Sequence, residues 1–177
     1  MPHPEEAQMT PEDARACLDV LREQEQELRY EGAFGSSEAF ALGRVLVELA
    51  NDFEETYVVT IQRASDGETV FQWVPDDKGE RNLSIARAKI AASRASGHAA
   101  PWASLEAIAT GSPLEAVWAT APREIAGCGG FPIYAGGTLA GVVGVSGVHN
   151  GGDHEVIVRA LEHVLGKRVS RFPVAVK

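Results

Sequence analysis

The chain has 177 residues and a formal net charge of −9, with 45% hydrophobic and 23% charged residues, which fits one globular domain with a real core and excludes a wholly disordered chain. Two cysteines, Cys17 and Cys128, are too few for a disulfide-dense scaffold or a four-cysteine zinc site. The acidic balance argues against nucleic acid and anionic membrane as partners, and uninterrupted apolar runs reach only about four residues, as in Ala39–Leu42, where a bilayer span takes roughly 20.

In chain order, Met1–Glu6 has no basic stretch followed by an apolar one, so no secretory signal is expected and the expected location is cytoplasmic. Thr10-Pro11-Glu12-Asp13 predicts a helix start, with a threonine cap, proline in the first turn and acids after it. Ala14, Leu18, Leu21 and Leu28 follow on one apolar stripe. Residues 5–31 hold nine acids against three arginines, a net of −6, which reads as a solvated helix face. A second helix is expected from Ser36 or Ser37, carrying Phe40, Val45, Leu46, Leu49 and Phe53.

Tyr57–Arg63 and Thr69–Val74 are rich in β-branched and aromatic residues and flank Asp66-Gly67, a hairpin signal. Leu83–Ser96 reads as an alanine-rich helix and Trp102–Ala109 as a shorter one. Two further strands, Phe131–Tyr134 and Thr138–Val148, meet at Gly136-Gly137. A last helix is expected from Asp153, as N-cap, to about Leu165, ending at Gly166. Thr138–Val148 is apolar on both parities, Leu139, Val143 and Val145 on one and Ala140, Val142 and Val148 on the other. Both faces of its sheet should therefore be covered, by helices or by another subunit.

Between Glu80 and Glu106 there is no acid, while Arg81, Arg87, Lys89 and Arg94 all fall there. This basic stretch is either a solvated face or a meeting place for an anionic ligand. None of the five histidines, at positions 3, 98, 149, 154 and 163, forms a metal-binding motif, so no metal ligand is assigned. His154 follows the expected cap at Asp153, and His98 lies where a histidine suits a helix dipole. The glycines from Gly127 to Gly152 contain neither a Walker nor a dinucleotide fingerprint. They serve turns and tight packing, or let a flat ligand or another backbone approach the sheet. Cys128 has no histidine near it in sequence and reads as a packed residue or a catalytic thiol; Ser146 does not sit in a G-x-S-x-G elbow, because Gly147 comes one position too early. No catalytic residue is assigned.

Gly129-Gly130-Phe131-Pro132-Ile133, then Gly141-Val142-Val143-Gly144-Val145-Ser146-Gly147, then Asp153-His154 resemble the haem-degrading-domain family, also described as GlcG-like or HbpS-like, in its branch of small single-domain proteins. Phe34, Ala41-Leu42-Gly43, and the segment with Arg87, Lys89 and Gly97-His98 fit the same branch. The chain departs from it at Ala126-Gly127-Cys128, where a histidine is usual, and at Ala99-Ala100, where serines are. The resemblance implies an α+β, profilin-like fold, an antiparallel sheet flanked by helices, in a domain spanning 34–177, with the acidic helix of 1–33 packed on it or extending from it. It also implies homo-oligomers and, for some relatives, haem or a corrinoid-related ligand. With the basic stretch, it makes Arg87, Lys89, His98, Ser146, Asp153 and His154 the candidate ligand-binding residues. His98 and His154 are the expected haem axial ligands, and Arg87 and Lys89 the propionate partners. The rival reading is a non-enzymatic oligomeric scaffold whose acidic helix steers a protein partner.

Overall fold

The computed structural model describes residues 8–120 and 127–177. The order is α1 (Pro11–Glu27), α2 (Ser36–Glu48) with a 3₁₀ turn at Leu49–Asp52, β1 (Val58–Arg63), β2 (Thr69–Trp73), α3 (Glu80–Ser96), α4 (Trp102–Thr110), α5 (Leu114–Thr120), β3 (Gly130–Ala135), β4 (Thr138–Ser146) and α6 (Gly152–Leu165). The strands form one antiparallel sheet in the order β2-β1-β4-β3, so β4, the strand apolar on both parities, lies inside the sheet.

Register sorts the two faces. Val59 and Ile61 of β1 stand with Val145 and Val143 of β4 and with Phe131 and Ile133 of β3. This face meets the main core, which includes Leu42 and Leu46 of α2, Ile157 and Leu161 of α6, and Leu18 and Leu21 of α1. The opposite face carries Val58, Thr60, Val142, Gly144 and Gly130, and α3 lies across it. Helices therefore cover both faces within one chain, the first of the two covers that the apolar parities allow.

Gly130 and Gly144 pair directly. A Cβ on Gly144 would stand 2.6 Å from the Ala86 carbonyl, and one on Gly130 2.8 Å from that of Lys89. Of the two uses left open for the glycines, these two serve the approach of another backbone, the α3 helix.

Several elements differ from the sequence expectation. α2 ends at Glu48, short of the Leu49 and Phe53 expected on it; α3 begins at Glu80, a turn earlier than Leu83; β4 stops at Ser146, where Gly147 turns the chain out at φ 151°; and α5, which was not expected, is seven residues long and too short to show a period. A Cβ on Gly147 would strike the Thr56 carbonyl at 2.3 Å.

Candidate functional site

Packing α3 so close to the sheet carries Lys89 beneath the end of β4. Its Nζ donates to the Val145 carbonyl at 3.2 Å and to Asp153 Oδ2 at 3.0 Å. Asp153 Oδ1 accepts from the Val148 N–H at 2.8 Å. Both side chains are buried. Burial pushes the Asp153 carboxyl above its ordinary pKa, against the pull of Lys89. Asp153 is thus not the N-cap of α6. Gly151, in the left-handed region at φ 80°, holds that position without a side-chain cap, and Asp153, the second residue of the helix, turns its carboxylate to Lys89 and the Val148 amide. Gly129, at φ 119°, leaves room for the pair, since a Cβ there would lie 2.8 Å from Lys89 Nζ and 2.4 Å from the Val145 carbonyl. The pair forms the floor of a cleft of about 330 Å³, with Cys128 and Val148 in its walls and His149 at its rim.

Cys128 is buried, and its thiol is pushed up to about 12 by that burial. It is a protonated, packed residue that donates to the Val176 carbonyl, not an activated nucleophile. Ser146 accepts from Asn82 Nδ2 at 3.2 Å. Arg87 is exposed on α3 and pairs with Glu80 at 3.4 Å. His149 pairs with Glu55 on the surface.

His98 occupies a different corner. Gly97, in the left-handed region, ends α3 and turns the chain so that His98 meets α1. Its Nδ1 lies 2.9 Å from Glu25 Oε2, while Glu25 Oε1 accepts the Ala99 N–H at 2.7 Å. The carboxylate can only accept, so Nδ1 carries the proton and Nε2 bears the lone pair of the neutral ring. The imidazole stacks on Trp102 with centroids 3.8 Å apart and 10° between planes, and the Arg22 guanidinium lies 5.4 Å over the same indole. The His98 side chain is 39% exposed.

His154 lies in the core, one residue beyond Asp153. Its Nε2 meets Gln24 Oε1 at 2.7 Å, and its ring stacks on Phe172 of the C-terminal tail at 5.0 Å. Burial, with the Arg171 charge added, lowers its pKa to about 4. The six expected residues therefore do not share one site. Lys89 and Asp153 pair directly and Ser146 ends the strand beside them; His154 lies beneath the tail, His98 just past the end of α3 against Glu25 of α1, and Arg87 on the outer surface.

Glu25 and Gln24 take part in these contacts without having been singled out, and Trp102, expected only as a helix start and a large apolar residue, also takes part. Glu25 and Gln24 fall four and three residues after Leu21, on the apolar stripe of α1. A polar residue on a core stripe is the signal that could have found them. The acidic helix is also less free than its charge suggested. Asp13 binds Thr10, Asp19 binds Arg22, Glu23 accepts from the Ser170 amide, and Glu25 is buried.

Comparison with known proteins gives the family and the fold. The family model described as "Haem degrading protein HbpS-like" matches residues 34–162. A UPF0303 protein of Streptomyces coelicolor is 33% identical over 150 residues, which is 83% of this chain and 92% of that protein. Among solved structures, the Ybr137w protein superposes with a TM-score of 0.72 at 18% identity, over 84% of this chain and 87% of that one. PduOC, solved as its haem complex, gives 0.63 at 22% identity over 78% and 97%. The chain belongs to the HbpS-like family, and its α+β fold is that of these neighbours.

Proposed function

We propose that this member of the HbpS-like family is a small-ligand-binding domain whose ligand is haem, held through Nε2 of His98. One observation carries this reading: a carboxylate fixes Nδ1–H and leaves Nε2, on a partly exposed ring, as the lone-pair nitrogen. Iron-ligating imidazoles are commonly oriented in this way. Trp102 adds an aromatic face, and Arg22 a cation for a propionate. Arg22, although it also pairs with Asp19 at 2.8 Å, takes the role first expected of Lys89, which is buried on Asp153, and of Arg87 on the outer surface, because it lies over the same indole on which His98 stacks. Bound haem would supply a redox-active iron; the chain supplies its ligand, stacking surface and counter-charge. The haem complex of the similarly folded PduOC supports the reading at the level of the fold.

Absorption spectroscopy of the full chain titrated with haemin tests it. A Soret shift is expected, lost in His98→Ala and kept in His154→Ala. A shift that survives His98→Ala overturns the assignment, and no shift in the unaltered protein removes haem.

The same reading includes self-association in the cytoplasm, with no nucleic-acid or membrane partner. Phe40 is 62% exposed and packs edge-on against Phe71 of β2, an edge strand, making an apolar patch that a second copy would cover. Light scattering should then give a multiple of the monomer mass at micromolar concentration. No helix among the described residues is long and apolar enough to cross a membrane.

A further inference from the structure

Glu25 is a buried carboxylate on α1 with both oxygens committed. Oε2 accepts the His98 Nδ1–H at 2.9 Å, and Oε1 accepts the N–H of Ala99, the next residue, at 2.7 Å. Ring and following amide are thus tied to one side chain, which cannot turn away from the imidazole without leaving the buried Ala99 N–H unpaired. Trp102 covers one face of the ring, 3.8 Å away and 10° from parallel, and so holds the imidazole in its plane.

The charge of Glu25 is not spent on a cation. Among the described residues no lysine or arginine pairs with its carboxylate: Arg22, three residues earlier, pairs with Asp19, and Arg29 donates to the Glu25 backbone carbonyl. The imidazole receives the whole of it. A buried carboxylate that accepts an imidazole N–H draws that proton toward itself, gives the ring partial anionic character and makes the other nitrogen more basic. A more basic ligand favours the more highly charged iron, ferric over ferrous, and hydrogen bonding behind the axial ligand is one of the levers by which a protein sets this balance.

We propose that Glu25 is a positioning residue that sets the oxidation state of the site: through the His98 Nδ1–H it biases iron held at Nε2 toward the ferric form, so that the ligand taken and kept is ferric haem. The inference rests on the haem reading above and deepens it. The same bond works against reversible O₂ binding, which needs ferrous iron.

Spectroelectrochemical titration of the haem-loaded full chain tests it. Glu25→Gln, which keeps the shape and removes the charge, should weaken the preference for ferric over ferrous iron about tenfold, a rise in midpoint potential of about 59 mV. Glu27→Gln removes an equal charge from the exposed end of the same helix and should leave the potential unchanged. Before haem is added, ¹⁵N-histidine spectra should show His98 protonated on Nδ1 and bare on Nε2. Where Glu25→Gln fails to fold, the iron–histidine stretch of the reduced, unaltered protein takes its place and should lie above that of haem carrying one free imidazole. An unchanged potential in a folded Glu25→Gln, an equal rise in Glu27→Gln, a proton on Nε2, or a stretch no higher than the free-imidazole value would each overturn the proposal. If the Soret shift is still lost in His98→Ala, the haem reading survives that failure. Binding that persists in His98→Ala, or no binding at all, overturns both.

Discussion

Two helix N-termini of this molecule each carry an aspartate in the first turn, and the two aspartates behave in opposite ways. At the start of α1, Asp13 returns a bond to Thr10, whose own hydroxyl accepts the Asp13 N–H, a reciprocal capping box facing water. Those bonds to Thr10 hold Asp13 below its ordinary pKa. At the start of α6, Asp153 leaves its own helix end to Gly151 and turns to Lys89 and the Val148 amide, and burial raises its pKa. The same side chain in the same kind of place thus does local work where water reaches it. Where packing encloses it, it does tertiary work. The lysine on α3 decides which.

The largest expected effect comes from breaking the buried pair. Lys89→Met leaves a buried carboxylate without its cation, and Asp153→Ala leaves a buried ammonium; each should cost about 3–5 kcal/mol in urea unfolding. A lost helix cap would cost only about 1 kcal/mol, so the Asp153→Ala figure separates the two roles directly. The double variant Lys89→Met, Asp153→Leu should recover much of the loss, because it removes both charges together. A loss near 1 kcal/mol in both single variants would show that the pair does not act as a buried ion pair.

The next effect belongs to His154, the neighbouring residue in the same turn. Its pKa falls from an ordinary 6.5 to about 4 in the folded chain. Between those values the unfolded chain binds a proton that the folded chain refuses. Stability is therefore complete above about pH 6.5, declines as the pH falls toward 4, and levels off below it. From pH 7 to pH 4 the loss from this group amounts to about 3 kcal/mol. Asp153, with its raised pKa, works in the opposite sense, taking up a proton in the folded chain first as the pH falls. Comparing the pH slopes of the unaltered chain and His154→Gln isolates the histidine. Parallel slopes would mean that the ring is charged or accessible in the folded state.

The legibility of the sequence follows the same division between local and tertiary control. Thr10-Pro11 marks the start of α1, Asp66-Gly67 the turn between β1 and β2, and Gly166 the end of α6, because each signal acts through backbone within a few residues. The two apolar parities of β4 indicate cover on both faces, which α3 supplies on one side and α2 with α6 on the other. The site is less legible. Lys89 and Asp153 could be picked out as residues, yet a separation of 64 positions hides that they bond to each other. His98 and His154 look alike in sequence, and only their partners on α1, Glu25 and Gln24, distinguish a partly exposed ring from a buried one. The segment 121–126, which includes the departure at Ala126, lies outside the described residues.

The smallest effect tests the solvent-facing side of the comparison. Thr10→Ala removes the hydroxyl that accepts the Asp13 N–H at 3.1 Å and the partner that bonds the Asp13 carboxylate at 2.7 Å. Nothing buried is left without a partner, since both groups face water. The expected cost is therefore that of an ordinary cap, about 1 kcal/mol, read as a small fall in the urea midpoint with an unchanged slope. Thr10→Ser, which keeps the accepting oxygen, should restore most of it. The far end of α1 should be unaffected, so the His98–Glu25 contact, and any haem titration that depends on it, should stay unchanged in both variants. A Thr10→Ala loss as large as that of Asp153→Ala would mean that the start of α1 is tied into the core as tightly as the start of α6, and the contrast between the two aspartates would fall.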